Sequence, residues 1–390
     1  MLIFEFLFWI SVTAILHTYV IYPFFLKIFS SKKKMNKIIF YRKDNLPVVS
    51  VLLSVFNEEE VIENKIISVF KTNYPKSKLE FIIGSDNSTD KTDEIIKNFK
   101  KKFKNLYFFT YKKRQGKGNI INQLIDKSVG DILILTDANV MFDENTIFNL
   151  IKHFKNKEIG LVDTQMINKN FKKEGISLQE KSYISREVKI KNMESKLWGT
   201  MMGPFGGCYA IRRYLYSKIP ENYLVDDFYI NMKVFEKGRK AINELNAKVY
   251  EDVSNNLKDE FHRKIRISTG NFQNLFTFWR LLFPIYSAIS FSFLSHKVLR
   301  WLGSFFILII YFSNIFLYSN HILYKISFYL LNILFFLPLI DFILKKVNIH
   351  ISILRFITHF LFMNLALFIG FFKFLKGVKN NVWQPTKRNQ

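Results

Sequence analysis

Four apolar stretches constrain how this chain can fold. Residues 2–29, 301–319, 322–344 and 353–375 are almost wholly Leu, Ile, Phe, Val and other apolar side chains. Each is about 20 residues or longer, enough for a helix to cross a hydrocarbon core of roughly 30 Å. Between residues 49 and 270 the pattern is instead that of a water-soluble α/β protein. The chain therefore reads as a soluble domain with a membrane anchor before it and a membrane bundle after it. The expected units are an anchor (1–30), an α/β domain (48–275), an interfacial amphipathic helix region (276–297), transmembrane helices (298–376) and a tail (377–390).

The first stretch lacks a basic start and a small-residue cleavage site, so it reads as an uncleaved anchor rather than a signal peptide. Lys27, Lys32, Lys33, Lys34 and Lys37 hold the segment that follows in the cytoplasm by the positive-inside rule. The single cysteine, Cys208, excludes an intrachain disulfide and suits that compartment. The formal charge of +25 fits attraction to an anionic inner leaflet and to anionic substrates. It does not indicate nucleic acid, because the chain has no recognisable nucleic-acid module and is tethered to a membrane.

Within the soluble region, strand and helix signals alternate. "VVSVLLSV" (48–55) is a continuous β-branched and apolar run of the kind expected for a strand buried on both faces, and "LEFIIGS" (79–85), "NLYFFTY" (105–111) and "DILILTD" (131–137) read as three further strands. Helical patterns separate them, the first opening at Asn57 as a candidate N-cap. Alternating β-α units indicate an open, mainly parallel sheet, with ligands just beyond the carboxyl ends of the strands. One rim should therefore carry Phe56, Asn57, Asp86, Asp137 and Asn139.

"TDAN" (136–139) ends the fourth strand with a carboxylate and an amide two residues apart. Two oxygen donors there can hold a hard divalent cation, and the cation can neutralise a diphosphate. An ordinary strand-end turn, with Asp and Asn bonded to nearby backbone, explains the tetrapeptide alone equally well.

The other rim segments break this tie. In order, they are "SVFNEEEVIENKI", "GSDNSTDKT", "KKRQGKGNIIN", "TDAN", "VDDFYI" (225–230) and "FHRKIRISTGNFQ". Together they resemble the family 2 glycosyltransferases of GT-A fold, in the membrane-embedded branch with cellulose, hyaluronan and poly-N-acetylglucosamine synthases. The resemblance implies a Rossmann-like α/β cytoplasmic domain flanked by transmembrane helices. It implies that Phe56, Asn57 and Glu58 start the nucleotide site, that Asp86 reads a uracil base, and that Lys117 and Arg114 meet phosphate charge. Asp137 and Asn139 match the family's Asp-x-Asp metal motif for Mg²⁺ or Mn²⁺, with Asn139 replacing the second aspartate; an aspartate at 139 would restore the common pattern. Asp226 and Asp227 match the Glu-Asp pair, with Asp227 as general base. Arg263 and Arg266 fall where processive members carry Gln-x-x-Arg-Trp, Arg266 keeping the arginine and Ile267 replacing the tryptophan. The implied activity is inverting transfer from a nucleotide sugar, UDP-linked, to a growing extracellular or capsular polysaccharide at the bacterial inner membrane, with membrane lipids as further partners. The open alternatives are a single transfer to a polyprenyl-phosphate or other lipid-linked acceptor, and a non-catalytic subunit of a synthase complex.

The membrane part contains a conflict. Three spans after Trp301 leave the tail outside, yet Lys373, Lys376, Lys379, Lys387 and Arg388 argue for a cytoplasmic tail. Either residues 276–297 cross as well, or the tail breaks the charge rule. A cytoplasmic tail would allow "VWQPTKR" (382–388) to lie near the active site.

Overall fold

The computed structural model describes residues 1–169, 177–252, 257–347, 349 and 351–378. The segment "VWQPTKR" lies outside them. Among the described residues eight strands form one sheet: β1 (Val49–Val55), β2 (Leu79–Ser85), β3 (Leu106–Thr110), β4 (Ile132–Thr136), β5 (Met141–Phe142), β6 (Ile159–Lys169), β7 (Cys208–Arg212) and β8 (Lys240–Asp252). Their order across the sheet is β3-β2-β1-β4-β7-β6-β8-β5. The first four are parallel, as the apolar runs require. β7 runs antiparallel to both β4 and β6, while β8 is parallel to β6.

Strand alternation divides the core between the two faces of the sheet. Val49, Val51, Leu53 and Val55 pack with Ile62, Ile66 and Val69 of the helix Ile62–Phe70. Leu52, Leu133 and Leu135 pack on the other face with Ile120, Ile121, Leu124 and Phe228. This second core continues without a break into Phe272, Phe278, Phe293 and Trp301, joining the soluble domain to its membrane-proximal base.

Two expectations need correction. Asn57 does not cap a helix: its backbone is left-handed at φ 52, and the helix starts five residues later at Ile62. The three glutamates 58–60 lie in a turn that precedes the helix. Residues 276–297 are also not one amphipathic helix. Phe276 and Thr277 end the long helix Leu257–Thr277, a 3₁₀ turn follows at Trp279–Leu282, and helix resumes at Ala288. Phe276, Trp279, Phe283, Ile285 and Tyr286 nevertheless leave large apolar surfaces exposed along this segment.

Among the described residues three helices are long and apolar enough to cross a membrane: Leu2–Ser30, Ile322–Lys346 and Ser352–Leu375. A fourth candidate is the pair Ala288–Trp301 and Gly303–Leu317, bent by 61°. The start of the first helix meets the turn near residue 317, where Phe4 stacks on Phe316 at 4.2 Å and Phe8 meets Tyr324 edge-on at 5.1 Å.

Candidate active site

Because β1 to β4 are parallel, the loops after them collect at one edge, and local hydrogen bonds fix each loop. Asn57 donates its backbone N–H to Ser88 Oγ (3.2 Å) and accepts from Thr89 N at its Oδ1 (2.8 Å). Glu58 N donates to Thr92 Oγ1 (2.8 Å). These two residues therefore tie the β1 loop to the β2 loop. The Arg114 guanidinium lies 3.3 Å from the centre of the Phe56 ring. Asp86, its side chain 3% exposed, accepts from Gln115 N (2.7 Å), Gly116 N (2.9 Å) and Arg114 Nε (3.3 Å). Gly116 has φ 86, a conformation that L side chains rarely adopt, and it starts the helix Lys117–Lys127. Asp86 thus shapes the basic loop from beneath, and Arg114 closes over it.

Lys117 reaches from that helix to Asp137 Oδ1 at 2.7 Å. Burial alone would lower its ammonium value, but Asp137, Asp226 and Asp227 together raise it. One lysine thus lies among three carboxylates drawn from two distant parts of the sequence. Asp226 and Asp227 occupy the first turn of the helix Asp226–Glu236, where the helix start favours negative charge. Phe228 N donates to Asp227 Oδ1 (2.8 Å). Burial and then Asp226 push Asp227 up to about 6, against the opposing pull of Lys117. Gly206 lets a loop pass close to this acid, since a Cβ there would sit 2.8 Å from Asp227 Oδ2. That loop is braced by Asp163, which accepts from Phe205 N (3.2 Å) and pairs with the buried Lys191 (3.2 Å).

Arg266 lies on the helix Leu257–Thr277 and donates to Leu224 O (3.4 Å). Burial and Arg263 lower its guanidinium value, while Asp226, Asp227 and Asp137 oppose that shift. Arg266 therefore joins the carboxylate cluster. Arg263 pairs with Glu260 on its own helix (3.4 Å).

Asp137 and Asn139, with Ala138 between them, lie in the turn that leaves β4. The Asp137 side chain is 35% exposed, and Asn139 Nδ2 donates to Glu251 Oε1 on β8 (2.9 Å). Among the described residues no group of three or more His, Cys, Asp or Glu is arranged to hold a metal ion. One open carboxylate and one amide oxygen still fit Mg²⁺ or Mn²⁺, which commonly take one or two protein oxygens and complete their shell with substrate phosphates and water. Lys117 on Asp137 already marks the spot as one that attracts positive charge.

Two functional side chains were missed from the sequence. Lys65 lies under the "TDAN" turn and donates to Thr136 Oγ1 (2.8 Å) and Val140 O (2.5 Å), bracketing Asp137 and Asn139 from behind. Burial pulls its ammonium down to about 7. A signal was present: Lys65 falls in the apolar i, i+3, i+4, i+7 stripe Ile62-Lys65-Ile66-Val69, where a solvated lysine has no place. Glu251 carried no local signal.

The family model "Glycosyl transferase family 2" matches residues 50–219, the segment that supplies most of this rim. This segment, somewhat less than half of the chain, carries the likeness to glycosyltransferase family 2. The poly-beta-1,6-N-acetyl-D-glucosamine synthase of Staphylococcus epidermidis is 32% identical over 145 residues, covering 36% of this chain and 34% of that protein. The beta-monoglucosyldiacylglycerol synthase of Nostoc sp. is 23% identical over 249 residues, covering 62% of this chain and 53% of that protein. The chain thus spans between a third and about half of these relatives' own length. In fold it is similar to the mannosyltransferase PcManGT from Pyrobaculum calidifontis, solved with GDP-Man and Mn²⁺, with a TM-score of 0.71, 19% identity, and coverage of 95% of this chain and 99% of that one. The GT-A-like mixed sheet and its flanking apolar helices therefore fit the architecture that the motifs imply.

Proposed function

We propose that the chain is an inverting, metal-dependent membrane glycosyltransferase that moves a sugar from a UDP-linked donor to a growing extracellular or capsular polysaccharide. The observation that carries this reading is Lys117, held among Asp137 on the donor side and Asp226 and Asp227 on the acceptor side. In this reading the base and ribose lie along Phe56 and Asp86, once Arg114 swings off the ring. Lys117 and Arg266 meet the diphosphate. Bound Mg²⁺ or Mn²⁺, held by Asp137 and Asn139, supplies further neutralisation of phosphate charge. Asp227 takes the proton from the acceptor hydroxyl as that oxygen bonds to the anomeric carbon. The bond from that carbon to the diphosphate breaks, and the nucleoside diphosphate leaves with the electron pair. Attack from the face opposite the leaving group inverts the configuration.

A lipid-linked acceptor is the second reading, and two observations favour it. The exposed Trp279, Phe283 and Tyr286 follow directly on the helix that carries Arg266, and would seat that edge in the lipid interface. A synthase named for a lipid product also matches the longer share of the chain. We further propose that the catalytic domain faces the cytoplasm, where nucleotide sugars are made.

The test is a screen of labelled nucleotide sugars against the full chain in detergent, with product length read on a gel. A long ladder supports polymer synthesis, whereas one added sugar on an extractable lipid supports the second reading. Asp86→Ala should weaken donor binding. Asp227→Asn should leave binding nearly intact and cut turnover by about 10²–10⁴-fold. No transfer from any donor, or equal loss of nucleotide binding in both variants, would overturn these assignments.

A further inference from the structure

The "TDAN" motif lacks the second carboxylate of Asp-x-Asp, and the fold supplies another one from a distance. β5 and β8 pair antiparallel, with Met141 opposite Tyr250 and Phe142 opposite Val249. This register carries the next β8 residue, Glu251, alongside the turn that leaves β4. Glu251 Oε1 accepts from Asn139 Nδ2 at 2.9 Å, and both residues are half-buried. An ionised carboxylate can only accept, so the bond fixes which way the Asn139 amide faces. The nitrogen is turned to β8 and the oxygen away from it.

We infer that Glu251 is a positioning residue for the donor-diphosphate site: it holds the Asn139 amide oxygen as a ligand and restores the negative charge that asparagine lacks. Asp137 and Glu251 together carry the formal charge of an Asp-x-Asp pair, with Asn139 between them. The inference rests on the metal-dependent reading given above. It has a consequence opposite to simple motif repair. Asn139→Asp, which restores the common pattern, sets a second carboxylate against Glu251 at hydrogen-bond distance, and like charges there repel. Adding Glu251→Gln reverses the hydrogen bond, because the glutamine amide now donates to the new carboxylate.

The test measures Mn²⁺ binding to the full detergent-solubilised chain by the EPR signal of free Mn²⁺, with UDP present. Thermal unfolding of each variant checks that it is folded. Asp137→Ala is the control for the metal reading and should abolish binding. Glu251→Ala and Asn139→Asp should each weaken Mn²⁺ affinity by about 10–100-fold, the usual cost of losing an outer partner of a metal ligand. The double variant Asn139→Asp/Glu251→Gln should recover most of that loss. Asn139→Asp binding Mn²⁺ as tightly as the wild type, or a double variant no better than either single one, would overturn the role of Glu251 while leaving the metal reading intact. A wild-type chain that binds no Mn²⁺, or an unchanged Asp137→Ala, would remove the metal reading and this inference with it.

Discussion

At the residue scale, the proposed chemistry depends on one acid with an unusual environment. Asp227 is pushed up to about 6 by burial first and by Asp226 second, with Lys117 opposing both. A carboxylate with an ordinary value would be ionised at any working pH but would be a weak base. One near 6 is still ionised at pH 7 and accepts a proton more readily. The sign of the pH effect follows. Protonated Asp227 cannot accept the acceptor's proton, so kcat/KM should fall about tenfold per pH unit below that value and level off above it. Binding of UDP, which does not use Asp227, should not show this acid limb. The profile is measured with a saturating acceptor and limiting donor. A flat rate from pH 7 down to pH 5 would mean that Asp227 is not the base. Asp227 and its partners were legible as types and spacing, because helix-start carboxylates and strand-end oxygens stand out against apolar runs. Lys65 was marked only by its place in an apolar helix stripe, and Glu251 was not marked at all, since it acquires its role from a turn remote in sequence.

At the element scale, the decisive contact is between the helix Leu257–Thr277 and the loop that leads into Asp226. Gln273 accepts from Leu224 N (3.2 Å) and donates to Asn222 O (3.1 Å), and Asn274 Nδ2 donates to Val225 O (3.3 Å). Gly270 makes this approach possible, since a Cβ there would lie 2.4 Å from Val225 Cγ2 and 3.0 Å from the Val225 backbone nitrogen. Gly270→Ala must therefore push the helix off the loop and move Arg266 relative to Asp226 and Asp227. Overpacking of this kind costs about 1–3 kcal/mol. We expect a lower Tm and a turnover that falls more than donor affinity does; unchanged Tm and turnover would show that the contact gives way at no cost. The sequence displayed only half of the sheet that this helix packs beside. β1, β2 and β4 are buried along almost their whole length, and they and the half-covered edge strand β3 read as apolar runs. β6 and β8 carry Asp163, Thr164, Asn243 and Glu244, all buried. Asp163 pairs with Lys191 and Glu244 with His153. A strand whose inward positions are polar because a remote side chain pairs with them has no apolar signature to read.

At the scale of the whole molecule, we propose an answer to the topology conflict that neither sequence option contained. The helix Ser352–Leu375 has the length and composition of a span, yet it runs beside the helix Leu257–Thr277 in the same direction. Phe261 meets Phe362 (5.8 Å), Ser268 Oγ donates to Leu367 O (2.9 Å), and Phe272 and Phe276 meet Phe371 and Phe374, each at 5.0 Å. We propose that the helix carrying Arg266 to the candidate active site lies at the membrane surface rather than at mid-bilayer depth, with its companion beside it. Ile353, Leu365, Phe372 and Leu375 remain exposed on that companion, as suits a helix half-sunk in the interface. Leu2–Ser30, the bent pair ending at Leu317, and Ile322–Lys346 would then be the crossings. Lys345 and Lys346 at the end of the last one, and Lys373 and Lys376 beyond it, would all stay on the cytoplasmic side, in agreement with the charge rule. The native thiol cannot report this, because Cys208 is buried and burial pushes it up to about 12, far from reactive. That makes it a silent background for introduced cysteines. Val129, 73% exposed, marks the catalytic domain, Lys376 the end of the last helix, and Asn320 the turn on the opposite side. With an impermeant maleimide on intact spheroplasts, Asn320→Cys should label at once, while Val129→Cys and Lys376→Cys should label only after permeabilisation. Labelling of Lys376→Cys alongside Asn320→Cys would make the last helix a true span. Labelling of Val129→Cys in intact spheroplasts would put the catalytic domain outside, away from any nucleotide sugar, and the proposed reaction would fall with it.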